Sequence, residues 1–126
     1  MNVDIIILAA GQGKRMQSSL PKVLQSLGGK PLLQHVIDTC SKLEKVKLHI
    51  VVGSQKKLIQ SSISAPKSTN WVVQKNQLGT GHAVKQALPS LRPNSCSVVL
   101  YGDGPLVKLK TLKRLISNIT KDNLSF

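Results

Sequence analysis

A glycine-bearing loop near the start of the chain is followed by fixed cations, and this combination suits the binding of a polyphosphate. Gly11 and Gly13 come shortly after the apolar run 4–8. The cations are Lys14, Arg15 and Lys22. Small residues let main-chain N–H groups approach phosphate oxygens, and lysine and arginine neutralise the remaining charge. The alternative is an ordinary strand-to-helix turn with solvated cations, because the segment has neither a Walker ending nor a complete dinucleotide fingerprint.

A single acidic residue, Asp103, is well situated to meet a metal ion. It is one of five acidic residues in the chain, and it stands beside Gly102 after the apolar run 97–101. A hard divalent ion such as Mg²⁺ usually takes one or two carboxylates together with phosphate oxygens and water. The alternative is an aspartate that caps a helix or forms a turn before Pro105.

Gln74 follows a third apolar run and has the side-chain chemistry to read a nucleotide base. A primary amide both donates and accepts hydrogen bonds, and the main-chain N–H of a glycine such as Gly79 can approach a ring closely. The alternative is a polar loop residue without a ligand. We expect His82 to pack against the start of the next helix or to cap it, and we assign no chemistry to His35.

Apolar strands alternate with helical patterns, which predicts an α/β fold with a mostly parallel sheet and helices on both faces. The pattern predicts strands at 4–8, 47–52, 71–73 and 97–101, and helices at 32–43, 56–62, 81–88 and 109–119. Ligands of such sheets bind at the carboxyl ends of the strands. The loops that begin at Leu8, Gln74 and Tyr101 should therefore lie on one edge of the sheet.

Helical spacing also predicts which residues of the last two helices face the core. They are Ala83, Val84, Ala87 and Leu88 in the first, and Leu109, Leu112, Leu115, Ile116 and Ile119 in the second. We interpret Cys40 as a small buried hydrophobic residue, and a disulfide with Cys96 or a metal role is not expected.

The composition predicts one globular domain with an aliphatic core and a strongly basic surface. The 126 residues are 40% hydrophobic and 2% aromatic, with a net charge of +13. No apolar run could span a membrane and no signal peptide is apparent, so we expect a cytoplasmic protein. The charge would favour polyanions, but nucleic-acid binding is not expected, because compact basic runs and stacking aromatics are lacking.

Together these motifs resemble those of the nucleotide-sugar pyrophosphorylases, which are sugar-phosphate nucleotidyltransferases. The resemblance rests on L-A-A-G-x-G-x-R-M at 8–16 with L-P-K at 20–22, and on PLLQHVID at 31–38, QLGTGHA at 77–83 and LYGD at 100–103. The stretches run in family order over nearly the whole chain. They are most similar to the N-terminal uridylyltransferase domain of bacterial bifunctional UDP-N-acetylglucosamine pyrophosphorylase / glucosamine-1-phosphate N-acetyltransferase.

The resemblance implies an Mg²⁺-dependent enzyme whose substrates are UTP and a sugar-1-phosphate. It would form UDP-N-acetylglucosamine, a cell-wall precursor, and pyrophosphate. Arg15 would grip the β- and γ-phosphates, Lys22 would reach the α-phosphate, and Asp103 would bind the metal. Nucleotide contacts are implied for Leu8, Ala9, Ala10, Gly11, Gly13, Lys22, Gln74, Gly79, Thr80, Tyr101, Gly102 and Asp103.

The resembling domain is considerably longer than this chain. We therefore expect residues 1–126 to form the nucleotide-binding half of a Rossmann-like domain of the nucleotide-diphospho-sugar transferase type, with no acetyltransferase domain. The half that holds most sugar-binding residues and the second metal ligand is not in this sequence. The sequence leaves open a non-catalytic UTP/UDP-binding module that needs a partner chain, a basic nucleic-acid-binding domain, and a thymidylyl- or cytidylyltransferase. An unpaired strand edge predicts self-association.

Overall fold

A computed structural model of the chain describes residues 2–10, 21–74, 79–92, 95–103 and 108–122, with Thr80 and 119–122 described by their backbone alone. In chain order the elements are β1 (Asn2–Leu8), a 3₁₀ helix (Lys22–Leu24), β2 (Ser26–Leu27), β3 (Lys30–Pro31), α1 (Leu32–Cys40), β4 (Val46–Val52), α2 (Lys56–Ser62), β5 (Asn70–Val73), α3 (Thr80–Ala87), a second 3₁₀ helix (Leu88–Ser90), β6 (Ser95–Tyr101) and α4 (Leu109–Asp122). None of the helices within these ranges is long and apolar enough to cross a membrane.

The centre of the fold is a four-stranded parallel sheet in the order β5-β4-β1-β6. Leu8, at the end of β1, pairs with Val51 of β4 on one side and with Tyr101 of β6 on the other. Parallel neighbours require a crossover connection, and a helix lies between each pair of successive strands in this sheet. The predicted α/β fold is confirmed, and all four strands end at the predicted residue.

The sheet is packed on both faces, with alternate residues of β1 in each core. On the larger face Ile5 and Ile7 are fully buried together with the apolar side of α1 and with Leu112 of α4. On the other face Ile6 packs with α3 through two alanines, Ala83 and Ala87. Because each strand residue points to the opposite face from its neighbour, nearly every residue of β1 is buried, as its apolar run predicted.

The second face is covered less completely over β6 than over the other strands. Here Val99 is 41% exposed and Tyr101 is 53% exposed, since α3 packs mainly over β1, β4 and β5. Within the described ranges β6 is an edge strand of the sheet. The predicted self-association through an open edge stays a prediction.

Two predicted core positions in the helices are wrong. Leu88 is 51% exposed, because α3 ends at Ala87 and Leu88 begins a separate 3₁₀ helix. Leu115 is 44% exposed, because the contact of α4 with the core runs through Leu112 and Ile116. The predicted inward position of Ile119 lies outside the described side chains. Cys40 is fully buried, as predicted.

A short hairpin that we did not predict connects the 3₁₀ helix to α1. Its strands β2 and β3 pair antiparallel around Gly28 and Gly29, which have φ values of 66° and 82°. Consecutive positive φ angles are those of a two-residue hairpin turn, and they strongly favour glycine. The Gly-Gly pair was therefore the sequence signal for this hairpin.

Candidate functional site

The carboxyl ends of all four parallel strands form one edge of the sheet, which we call the carboxyl edge. It is defined by the last residues of the strands, Leu8, Val52, Val73 and Tyr101. The three predicted site loops start directly after β1, β5 and β6. Their predicted arrangement on one edge is confirmed by the parallel pairing of these strands.

The exit from β1 is fixed by main-chain hydrogen bonds to both neighbouring strands. The N–H of Ala9 donates to the carbonyl of Val51 at 2.8 Å, and the carbonyl of Leu8 accepts from the N–H of Gly102 at 2.9 Å. Leu8, Ala9 and Ala10 are all buried. The predicted phosphate-binding residues Gly11, Gly13 and Arg15, and the neighbouring Lys14, lie outside the described residues, so only the entrance to that loop is described.

At Gly102 it is limited space, rather than backbone conformation, that favours a glycine. A Cβ atom at this position would lie 3.2 Å from the Leu8 carbonyl oxygen, from Leu33 Cδ1 and from Val23 Cγ1. The glycine thus lets the turn after β6 pass close to the end of β1. This close approach helps to fix the start of the turn that carries Asp103.

Lys22 and Asp103 come together, although 81 positions separate them in the sequence. Lys22 Nζ lies 3.8 Å from Asp103 Oδ2, and their side chains are 63% and 32% exposed. Lys22 begins the 3₁₀ helix, and the next two residues, Val23 and Leu24, are buried in the core. These apolar anchors hold the lysine beside the aspartate while its ammonium group stays in solvent.

Gln74 and Gly79 are also neighbours in space. Gln74 is 2% exposed, and its main-chain N–H donates to the Val52 carbonyl at 2.8 Å. Its side-chain Nε2 donates to the Gly79 carbonyl at 3.4 Å and lies 2.9 Å from Nδ1 of His82. Gly79 has a φ of 99°, which explains the glycine before α3.

His82 is the site residue whose role sequence reasoning missed. We expected it to pack against the start of α3 or to cap it, and its half-buried ring packs there against the Gln74 amide. The contact with Gln74 itself was not predicted. The two residues are eight positions apart and meet through the turn at Gly79, which no helical or strand spacing would reveal. Only the backbone of Thr80 is described, as the first residue of α3.

Metal-ligating and thiol groups are few in the described part of the chain. No cluster of three or more His, Cys, Asp or Glu residues occurs there, which leaves Asp103 as a single carboxylate at the carboxyl edge. Both cysteines are buried and free. Burial raises the pKa of the Cys40 thiol to about 12, so this cysteine is protonated and unreactive at neutral pH.

The opposite edge of the sheet holds a buried polar network that sequence reasoning did not predict. Asp4 and His49 are fully buried, and His49 Nε2 lies 2.8 Å from Asp4 Oδ1. Asn70 contacts the other ring nitrogen of His49 at 3.1 Å, and Arg92 Nε donates to Asp4 at 3.1 Å. The signal was an aspartate inside an otherwise apolar strand, because a buried carboxylate needs partners.

A parallel sheet with charged and amide groups at its carboxyl edge is typical of nucleotide-binding α/β proteins. The chain belongs to the family of MobA-like NTP transferase domains, whose sequence model matches residues 5–125. The resemblance to nucleotidyltransferases inferred from the sequence motifs is therefore confirmed.

Relatives with high identity are bacterial proteins that are much longer than this chain. Bifunctional protein GlmU from Nitrosomonas eutropha is 50% identical over 125 residues, which make up 99% of this chain and 27% of that protein. Bifunctional protein GlmU from Burkholderia orbicola is 54% identical over 114 residues, or 90% of this chain and 25% of that protein. The chain thus spans about a quarter of the length of these relatives.

Solved structures share the fold at lower sequence identity. Rv0371c from Mycobacterium tuberculosis superposes with a TM-score of 0.79 at 24% identity, over 92% of this chain and 59% of that one. A UDP-glucose pyrophosphorylase in complex with UDP-glucose superposes with a TM-score of 0.73 at 21% identity, over 98% of this chain and 55% of that one. The matched region is thus a part of each longer chain.

Proposed function

We propose that this chain is the nucleotide-binding half of a uridylyltransferase domain that takes UTP and N-acetylglucosamine-1-phosphate to UDP-N-acetylglucosamine and pyrophosphate. The family supports nucleotidyl transfer, and the high identity to bifunctional protein GlmU over 99% of the chain supports this substrate pair. The contacts proposed below rest on the family resemblance and on the geometry of the carboxyl edge.

The order of groups along the carboxyl edge is the observation that carries the proposal. Gln74 follows β5 at one end of the sheet, the entrance to the phosphate loop follows β1, and Asp103 lies just beyond β6 at the other end. Three strand spacings separate β5 from β6, or about 14 Å. An extended nucleoside triphosphate spans such a distance, with its base at Gln74 and its phosphates between β1 and β6.

The contact between Lys22 and Asp103 supports phosphate binding at the second of these ends. A pair at 3.8 Å between an exposed lysine and a partly exposed aspartate contributes little to stability. An incoming triphosphate can therefore separate the two groups at small cost and bind the lysine directly. In the proposed complex Lys22 meets the α-phosphate, and Arg15 meets the β- and γ-phosphates.

The proposed reaction needs alignment and charge neutralisation rather than a protein nucleophile. A phosphate oxygen of the sugar-1-phosphate attacks the α-phosphorus of UTP, the new P–O bond forms, and the bond to the β-phosphate breaks with release of pyrophosphate. The attacking phosphate is already a nucleophile, so no proton has to be removed from it. Lys22 would neutralise the charge that accumulates around the α-phosphorus.

The residues at the carboxyl edge fit a hard divalent metal ion. Asp103 offers one carboxylate whose side chain is about one-third exposed. A site with so few protein ligands takes its remaining ligands from phosphate oxygens and water, as Mg²⁺ does. Such an ion would screen the triphosphate charge and hold its orientation. A manganese complex of Rv0371c, a protein that shares the fold at 23% identity, is consistent with a divalent ion.

Release of pyrophosphate is the test of the catalytic proposal. The chain is incubated with UTP, N-acetylglucosamine-1-phosphate and Mg²⁺, and we expect pyrophosphate that disappears in both Lys22→Ala and Asp103→Ala. Lys30→Ala is the matched control, because this lysine pairs with Asp38 and lies in the hairpin strand β3. Turnover that persists in both site variants would contradict the proposal.

A second candidate is a module that binds UTP or UDP without turning it over until a partner chain completes the site. The exposed face of β6, with Val99 and Tyr101, favours this candidate, because a second chain could cover it. UTP binding without pyrophosphate release, with release restored by an added partner chain, would support it. Binding of neither UTP nor UDP would contradict both candidates.

A further inference from the structure

The amide of Gln74 is held in one orientation by groups inside the protein. Its side chain is almost completely buried, and its main-chain N–H extends the hydrogen bonding between β4 and β5. Nε2 lies 3.4 Å from the Gly79 carbonyl oxygen, which can only accept. It also lies 2.9 Å from His82 Nδ1. The nitrogen end of the amide therefore faces the start of α3.

His82 can accept from Gln74 only in one of its neutral forms. A neutral imidazole carries one N–H, so one ring nitrogen donates and the other accepts. Nδ1 accepts from Gln74 when the proton is on Nε2. The second ring nitrogen, Nε2, lies 3.3 Å from Nε2 of the half-buried Gln86 amide. Because a neutral ring cannot accept at both nitrogens, one of the two amides must present its oxygen. The Gly79 carbonyl fixes the nitrogen end of Gln74, whereas Gln86 makes no other side-chain hydrogen bond to the described residues. With the Gln86 amide turned by 180°, its oxygen accepts from the Nε2–H and both ring nitrogens are satisfied.

Among the described residues, no group donates to the other end of the Gln74 amide. Hydrogen bonds from its side chain to the described residues run through Nε2, toward Gly79 and His82. Both amide hydrogens are then engaged inside the protein. Within the described ranges Oε1 is therefore an acceptor without a donor, and it cannot exchange places with the nitrogen without breaking both contacts.

We propose that His82 is a positioning residue that makes Gln74 select a base with a hydrogen-bond donor at N3. This inference rests on the proposed function, in which Gln74 contacts the base. Uracil carries a proton on N3 and donates to Oε1. Cytosine presents a lone pair at N3, so that two acceptors face each other at a buried position. Such a mismatch is strongly disfavoured because neither group regains the hydrogen bond it loses from water.

The test compares dissociation constants for UTP and CTP, measured with Mg²⁺ on the full chain. We expect the wild type to bind UTP at least about tenfold more tightly than CTP. In His82→Phe the ring volume stays but the acceptor is lost, the Gln74 amide can rotate, and the UTP:CTP ratio should fall to about twofold. His82→Asn supplies a side-chain oxygen near the Nδ1 position and should restore most of the ratio. His35→Ala is the control, because the side-chain hydrogen bond of this histidine goes to the Leu27 carbonyl in the hairpin, away from Gln74, and its loss should leave the ratio unchanged.

If His82 has a purely structural role, His82→Phe will weaken the binding of UTP and of CTP by the same factor. That result would overturn the inference. An unchanged ratio in His82→Phe, or equal binding of UTP and CTP by the wild type, also overturns it while leaving the proposed function standing. A wild type that binds no nucleotide overturns both. If His82→Phe does not fold, Gln86→Leu replaces it. This variant frees the far side of the ring and should lower the ratio about threefold, and an unchanged ratio there overturns the inference.

Discussion

The two edges of the parallel sheet use similar groups in opposite ways. At the edge formed by the strand starts, Asp4 is fully buried and pairs with Arg92 at 3.1 Å. At the carboxyl edge, the exposed Lys22 and the partly exposed Asp103 are 3.8 Å apart. The first pair has its partners inside the fold, whereas the second is available to a ligand. We infer that the first edge stabilises the fold, and the proposed function places nucleotide binding at the second.

The pKa of Asp4 indicates that its hydrogen-bonding partners compensate for its burial. Burial alone would raise the pKa of this carboxyl, but hydrogen bonds from His49, Ser95 and Arg92, together with the Arg92 charge, outweigh it and hold the pKa below its ordinary value. The carboxylate is therefore ionised and fully partnered. Removing one member of such a network leaves the others buried without a partner.

The largest expected effect is on stability, from Asp4→Asn. The substitution removes the charge that Arg92 and His49 face, and we expect a loss of about 3 kcal/mol in the free energy of unfolding. Denaturant titration measures it. Asp38→Asn is the control, because the pair of Asp38 with Lys30 is about half-exposed and its loss should cost less than about 1 kcal/mol. Equal losses in the two variants would contradict the assigned difference between buried and exposed pairs.

A smaller effect is expected from Gly102→Ala, which acts on the carboxyl edge through packing. The new Cβ would come within 3.2 Å of the Leu8 carbonyl oxygen, so β1 and β6 must separate slightly. We expect a loss of about 2 kcal/mol in unfolding free energy together with weaker UTP binding. Gly81→Ala is the matched control for stability, because no described atom beyond its own helix turn and chain neighbours lies within 4 Å of an added Cβ. A Gly102→Ala variant as stable as the wild type would contradict this prediction, because the carboxyl edge would then accommodate the added methyl group without loss of stability.

Lys22→Ala should affect binding without affecting stability. We expect the dissociation constant of UTP to rise about tenfold, equivalent to about 1.4 kcal/mol, because a charge-assisted contact to phosphate is lost. The free energy of unfolding should stay within about 0.5 kcal/mol of the wild type. Titration of UTP and denaturant unfolding measure the two quantities. A loss of stability with unchanged UTP affinity would reverse the roles assigned to the two edges.

The pH dependence of stability gives the smallest and most specific signal. Because the pKa of Asp4 is lowered in the folded state, its stabilisation is present above the ordinary value of 3.8 and is lost as pH falls through the folded pKa. The stability difference between wild type and Asp4→Asn should therefore be constant near neutral pH and shrink below about pH 4. A difference that stays constant down to pH 2 would contradict the ionised network.

The sequence predicted local features well and non-local polar contacts poorly. Strand ends were predicted because apolar runs stop at residues such as Gln74 and Gly102, and the parallel order then brings the loops to one edge. Leu88 and Leu115 were assigned to the core from helical spacing, and both assignments were wrong. Spacing alone does not reveal where a helix ends or which of its residues a neighbouring element covers. The contact of Asp4 with Arg92 joins residues 88 positions apart, and no spacing rule reaches that far.

The central claim is that the carboxyl edge binds UTP, and thermal unfolding of the wild-type chain with Mg²⁺ tests it most directly. At a UTP concentration one hundred times the dissociation constant, we expect a stabilisation of about 2.7 kcal/mol, or roughly 10 °C in Tm. Inorganic triphosphate at equal ionic strength is the control for the net charge of +13. A clearly larger shift with UTP supports the claim, and an equal shift with both, or none with UTP, contradicts it.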